Sequence, residues 1–532
     1  MESQRTLLFF GFLAVSYLLF SAWQEDQAPK PVSQPQAIEQ SLAPSSTNGD
    51  LPASDLPATQ ASASVVEFGN DMLELKVDTK GGDVVNAQLK QFARELNGEE
   101  RFTLLTKEPG FNYVAMSGLI GPDGSDSQGR PVYEASEVTT LADGSRQLTL
   151  THVNDKGVQF KKILTLAKGS YVVNTRFEVV NATAQPLTVQ YFGQLKQTVT
   201  PSEGGFVATS YRGAAYSSDD NKYEKYDFED MQDKNLREPT GKGWIAMLQH
   251  YFVSAWAPKF DNLEIYSLVA GSRDAIIGVK SELLTVPAND KLSLDADLFV
   301  GPKDQDALEA VAPRLELTVD YGFLWFIGKP LFWLLQALHG LVANWGFAII
   351  LLTVIVKMAL FPLTKAQYTS MAKMRVLAPK LTALREKYGD DRQRLSQAMM
   401  ELYKKEEVNP LGGCLPLLLQ MPIFIALYWV LLESVELRHA DFAFWIHDLS
   451  VKDPFFVLPI LMGVTMYVMQ KLQPSTITDP MQQKVMQFMP VMFTFFFLFM
   501  PAGLVIYWVV SNLISIAQQL VIMKGLEKKG LK

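Results

Sequence analysis

The sequence predicts an α+β multidomain protein: an antiparallel β-sandwich followed by a polytopic α-helical membrane domain, with six transmembrane helices in all. Three observations carry that reading. The 532 residues exceed one compact core and suggest roughly two to four folding units. Short segments of alternating polarity recur from about Val65 to Leu317, and nearly all long apolar runs follow residue 320 or so. Bulk composition hides this split, because 48% hydrophobic and 20% charged residues resemble an ordinary globular chain. The net charge of −8 excludes a broadly basic nucleic-acid-coating protein, and no direct nucleic-acid recognition is expected.

The chain opens with a polar pentapeptide and then runs apolar from Leu7 to Trp23, at the short end of what spans a bilayer core. Ser21-Ala22-Trp23-Gln24 makes a poor cleavage site, so residues 1–23 are expected to be an uncleaved signal anchor. Residues 24–64, rich in Pro, Ser, Ala and Gln, cannot bury enough apolar surface to offset their ordering entropy and read as a flexible tether. Residues 65–318 read as the sandwich. Leu73–Val77, Gln147–His152, Tyr171–Val179, Leu187–Tyr191 and Leu292–Leu298 alternate, and Asp78–Gly82, Asp155–Gly157 and Lys168-Gly169 supply turns. Residues 305–315 resemble a short closing helix. In 319–342 an apolar stretch carries Lys329, Pro330, Gln336 and His339, which suits a helix lying along the interface.

Five further apolar spans follow, at 343–363, 412–433, 455–470, 485–500 and 503–522. The loop between 364 and 410 holds ten Lys/Arg against six acids, whereas 434–454 holds only Arg438 and Lys452 against four acids. Basic loops stay cytoplasmic, so both termini are placed in the cytoplasm and the sandwich (residues 24–320 with its tether) outside. The lone Cys414 excludes a disulfide framework and fits an exported domain of the bacterial periplasm without supporting a stapled one.

Lys357 is the most informative residue. It interrupts the apolar run Phe347–Phe361, roughly 9 Å from one end of its span and 21 Å from the other at about 1.5 Å per residue. An ammonium at depth costs about 2.5–3.5 kcal/mol on insertion scales. Either its stem snorkels to the near interface, or it serves as a charge in a wet cavity. Thr353 lies one turn away on the same face. Gln420 and Phe424 lie one turn apart on the next span, and Trp508, Ser511, Ser515, Gln518 and Gln519 form a stripe on the last. Singly, each polar residue suits helix-to-helix glue. Together with Lys357 they suggest a groove open toward the cytoplasm and closed outside.

In 364–411 the apolar positions Met371, Met374, Leu377, Leu381, Leu384 and Tyr388 recur at helical spacing. Gly389-Asp390-Asp391 breaks the run, and Leu395, Met399 and Leu402 resume one. A charged helical hairpin is expected, either a solvated element or a docking arm, with Pro379 starting or kinking its first helix. The spans are rich in Met (421, 462, 466, 469, 481, 486, 489, 492 and 500), which suits adaptable apolar contact and equally ordinary gap-filling. Five scattered histidines without HExxH spacing point to no metal site. The absence of GxSxG, GxGxxG and Walker signatures points to no enzyme and no cofactor. Trp244, His250, Tyr251 and Trp256 read as core.

The segments Phe361–Met374, Asn409–Pro416, Gln420–Phe424, Phe444–Ser450, Pro459–Thr465 and Asp479–Gln483 resemble, in order, the membrane region of the YidC/Oxa/Alb family of membrane protein insertases. The N-terminal anchor and large outer sandwich are similar to the Gram-negative form of that family. The resemblance implies a five-helix insertase core with a hydrophilic groove and an inner-membrane location. It also implies a chaperone role, insertion without cofactor or nucleotide hydrolysis, and a substrate-receiving hairpin. Implied partners are nascent membrane proteins, the SecYEG translocon with accessory Sec proteins, ribosomes and the lipid bilayer. By position it puts Lys357 at the groove charge, Thr353 and Trp508 beside the substrate path, and Phe424 on its apolar slide. Two departures matter. The groove charge is usually arginine, and lysine lacks its planar fork; the basic tail after Gly525 is also short. A solute or ion transporter using Lys357 would normally show internal repeats, and none is visible. A carbohydrate-active sandwich would need an acid/base carboxylate pair that the sequence does not display.

Overall fold

The computed structural model describes residues 64–200, 210–271, 273–388, 391–406, 415–472 and 480–528. The expected anchor (1–23), the tether up to residue 63, the Gly389-Asp390 break, Asn409–Cys414 and the last four residues lie outside the described residues.

The alternating segments become strands for the reason their pattern suggests. Leu73–Asp78, Gln159–Leu166 and Val172–Asn181 each bury every second side chain. Two ten-stranded sheets result, antiparallel at every pairing of named strands. One runs through Phe111–Ile120 and Leu187–Thr198, and the other through Phe252–Pro258, Asp290–Pro302 and Val172–Asn181. Their inner faces interdigitate as a sandwich core. Tyr113 of the first sheet shares a 2.7 Å hydrogen bond with Ser254 of the second. At Gly193 an added Cβ would come within 3.3 Å of the Trp256 ring, so the sheets approach closely there.

Helix α1 (Phe228–Asp233) opens on a capping box at Asp227, and α2 (Gln305–Val311) is capped by Asp304. Helix α2 is shorter than the expected 305–315, because Ala312 is extended and Leu315–Thr318 turns as a 3-10 helix ahead of which Arg314 is left-handed. Helix α3 (Trp325–Val342) follows, with Trp325, Phe326 and Trp333 exposed and Phe332 and Leu335 buried.

The remaining helices are α4 (Trp345–Ala359), α5 (Phe361–Tyr388), α6 (Arg392–Lys405), α7 (Leu415–Glu433), α8 (Val457–Leu472), α9 (Pro480–Phe497) and α10 (Ala502–Glu527). Among the described residues α10 alone is long and apolar enough to cross a membrane by itself. Helix α4 and the start of α5 satisfy that test as a pair bent by 61°, while α8 and the apolar parts of α7 and α9 are shorter. Helices α5 and α6 form the hairpin, joined by Leu377 and Leu381 packing against Met399 and Leu402 and by a 2.6 Å contact between Lys380 and Glu406. Asp391 caps α6. Pro379 does not start a helix: α5 runs through it.

The sandwich and the helices share one apolar seam. Trp244, Phe299, Leu308 and Leu315 pack in the same cluster as Leu427, Val430, Leu437 and Leu504. Val435, just past α7, enters the sandwich core itself.

Candidate functional site

The site is built on α4, α7 and α10. Helix α4 is N-capped by Asn344, whose side chain accepts from the Phe347 amide, and Lys357 lies thirteen residues beyond that cap. Its half-buried ammonium donates to the Ser515 hydroxyl of α10 at 3.0 Å. One turn on, the Gln518 amide donates to the Lys357 carbonyl at 3.3 Å. The Tyr368 hydroxyl of α5 reaches the Ser515 carbonyl at 3.5 Å. Lys357 is therefore engaged by α10 instead of pointing out alone to the interface.

The second cluster lies closer to the sandwich. Gln420 of α7 donates to the Tyr507 hydroxyl at 2.8 Å, and Phe424 meets Trp508 edge-to-face with centroids 4.4 Å apart. Phe497 of α9 packs on Trp508 at 5.1 Å. Ser511 stands between the clusters on the buried face of α10.

Thr353 is placed differently from its expected position beside an open path. It is fully buried against neighbouring helices, and its hydroxyl is spent on the Ile349 carbonyl of its own helix at 2.7 Å. Gln519 turns to the Leu472 carbonyl of α8 at 2.9 Å, and Asn512 bonds Thr465 at 3.2 Å; both join helices. The side-chain amide oxygens (Oε1) of Gln518 and Gln519 are buried without a hydrogen-bond partner among the described residues. Tyr507, Tyr368 and Asn512 escaped the sequence reading. Tyr507 adjoins Trp508, but consecutive helical residues point about 100° apart, so the stripe that selects one passes over the other.

Where α7 ends, buried charge joins the apolar packing. Lys303 meets Glu433 at 3.3 Å with both side chains buried, and burial pushes the Lys303 ammonium down against the opposing pull of Glu433. The His250 ring bonds the Leu432 carbonyl at 2.8 Å and stacks on Tyr251, so it joins domains and is more than a core residue. Arg438 donates to the carbonyls of Ala93 and Arg94 at 2.8 and 2.9 Å and lies over the Phe102 and Phe252 rings.

The sandwich also carries an acidic cleft of about 610 Å³ lined by Asp219, Asp220, Glu264 and Glu282. Three of these carboxylates are already engaged: Asp219 by the Gly241 amide, Glu264 by Lys280, and Glu282 by Asn262. Among the described residues no group of three or more His, Cys, Asp or Glu side chains is placed to hold a metal ion.

Comparison with known proteins adds to this geometry. A sequence model of the family described as "60Kd inner membrane protein" matches residues 337–529, and one described as "YidC periplasmic domain" matches residues 65–334. The chain is 55% identical over 544 residues to "Membrane protein insertase YidC" of Aeromonas hydrophila subsp. hydrophila, covering 100% of this chain and 99% of the relative. It is 53% identical over 547 residues to the protein of the same description from Tolumonas auensis, with the same coverage. A solved structure described as "Active YidC insertase crystal structure with the first transmembrane domain resolved" overlaps 86% of this chain and 92% of its own. Its identity is 19% and its TM-score 0.37, too loose a superposition to build on.

Proposed function

The chain belongs to the YidC family of membrane protein insertases, and from that premise we propose that it works through a polar groove between α4, α7 and α10, with Lys357 as the groove charge. It is an inner-membrane insertase whose substrates are membrane proteins. The contact of Lys357 with Ser515 carries the proposal, because a cation held between helices at that depth needs a polar lining. The ammonium attracts the hydrophilic flank of an arriving segment. Its apolar part then leaves toward lipid past Phe424 and Trp508. Ser511, Ser515 and Gln420 offer hydrogen bonds along the way, and Thr353 supports the wall from within α4.

In this reading insertion needs no catalytic residue, cofactor or nucleotide. Residues 1–23 anchor the chain, 24–64 tether the sandwich, both termini face the cytoplasm, and the α5–α6 hairpin receives substrates there. SecYEG with its accessory proteins and ribosomes are the partners in insertion. The seam around Lys303, Glu433 and Leu437 supports closure on the opposite side, since it fills the end of the helix bundle with packed side chains.

Depletion and rescue with Lys357→Arg, Lys357→Ala and Lys357→Glu tests the groove charge, scored by insertion of a short single-span substrate. Arg is expected to support insertion, and Ala and Glu to lose it. Normal insertion by Ala and Glu would remove Lys357 from the mechanism. A solute transporter would instead give Lys357-dependent uptake with insertion intact.

A further inference from the structure

The segment between α7 and α8 presents aromatic side chains that packing does not explain. Phe444 is 86% and Phe455 66% exposed. Phe444 and Phe456 are held at φ 59° and 57°, a left-handed conformation that bulky residues adopt only at a cost. The backbone beneath them is tightly built. Asp453, almost fully buried, accepts from the Trp445 indole at 2.9 Å and from the amides of Phe455 and Leu458 at 3.0 and 2.7 Å. The Asn344 amide donates to the carbonyls of Asp441 and Phe442, and an added Cβ at Gly346 would strike the Phe442 ring. Ala502 and Gly503 bond the carbonyls of Val451 and Leu449. The loop is thus fixed to the starts of α4 and α10.

We propose that Phe444 and Phe455, on the rigid segment 441–457, form a lipid-inserted interfacial anchor at the end of the helix bundle that faces the sandwich. Continuity identifies lipid as the occupant. The exposed apolar surface passes from Phe455 through Val457, Ile460 and Val464 along α8 without a polar break on that face, and those residues belong to an apolar helix of a membrane protein. The Asn344 corner also joins α3, whose exposed Trp325 and Trp333 lie on the element expected along the interface. Amphipathic aromatic rings concentrate at that level of a bilayer. His447, exposed and paired with Asp441 at 2.8 Å, marks the wet side of the same loop. The anchor stands on membership of the insertase family and is independent of the Lys357 groove.

Spin labels on Phe444→Cys, Phe455→Cys, His447→Cys and Val464→Cys, each with Cys414→Ser, test it in the full-length protein in nanodiscs. The accessibility ratio of oxygen to a water-soluble nickel chelate should be highest at 464, lowest at 447, and clearly above the value at 447 for both 444 and 455. Chelate access at 444 and 455 equal to that at 447 would overturn the anchor. So would shielding from both reagents, which means a second polypeptide covers the patch. If label attachment disturbs the loop, benzophenone-alanine at 444 keeps an aromatic ring there; photo-capture of phospholipid supports the anchor, and capture of protein alone refutes it. Neither readout depends on insertion activity, so a failed groove charge and a failed anchor remain distinguishable.

Discussion

Lys357 is half-buried and Lys162 fully buried, and different groups face their ammonium ions. Lys357 has a hydroxyl from another helix and, among the described residues, no carboxylate as a bonded partner. Lys162 is inside the sandwich, donating to the Gly81 and Ser117 carbonyls beside an Arg130 that pairs with Asp83 and Asp126. Burial pushes Lys162 down to about 7, opposed by Asp83. Between pH 7 and its ordinary 10.5 the unfolded chain holds a proton that the folded chain has released, so stability rises with pH across that window. The slope reaches at most about 1.4 kcal/mol per pH unit for one proton. Hydrogen exchange of the Gln159–Leu166 amides at pH 7, 8 and 9, corrected for the intrinsic rate, should show this gain, and Lys162→Met should flatten it.

Helix contacts in the bundle rest on small groups and single hydrogen bonds. At Gly463 of α8 an added Cβ would strike the Thr494 hydroxyl of α9, so a side chain there must displace the Thr494 side chain or the helices. Gly463→Val is expected to cost about 1–3 kcal/mol by overpacking. Thermal unfolding in detergent measures the loss, and adding Thr494→Ala should recover part of it. Between α7 and α10, a double-mutant cycle of Gln420→Leu with Tyr507→Phe should give a coupling of about 0.6 kcal/mol, typical of hydrogen bonds between membrane helices. A coupling near zero would show that side-chain packing, including the Phe424–Trp508 contact, holds these two helices without help from this hydrogen bond. Strand and helix types were legible in the sequence because one face of each element is buried, and periodicity reports that. Continuity through Pro379 was not, since proline is compatible with a bent helix as well as a broken one.

At the scale of the molecule, the sandwich and the helices are coupled by buried charge as well as by apolar packing. Glu433→Gln would leave the buried Lys303 ammonium without its paired carboxylate, which typically costs about 3–5 kcal/mol. Faster hydrogen exchange at residues 432–438 is the expected sign, and Lys303→Met combined with Glu433→Leu should reverse most of it. Glu436 lies at the same junction, pushed up to about 7 chiefly by burial, with Asp304 and Asp306 adding to the rise. Its folded state holds a proton between about pH 4.5 and 7 that the unfolded chain lacks, so its contribution to stability falls as pH rises through that range. Glu436→Gln should remove that dependence from the exchange of the same amides.

Residue order by itself determined the α+β class, the separation of polar strands from apolar helices, and Lys357 as the residue to explain. Each of those is a local property, a period or a break in a period. The partners were decided by tertiary structure. Lys357 and Ser515 are 158 residues apart, and Arg438 and Ala93 are 345 apart. No periodicity spans such distances, so which stripe faces which, and that Thr353 turns inward to its own helix, follow only from how the helices and sheets pack. The seam between the domains is hidden for the same reason: Val435 and Leu437 look like an ordinary span end until the sandwich is placed over them.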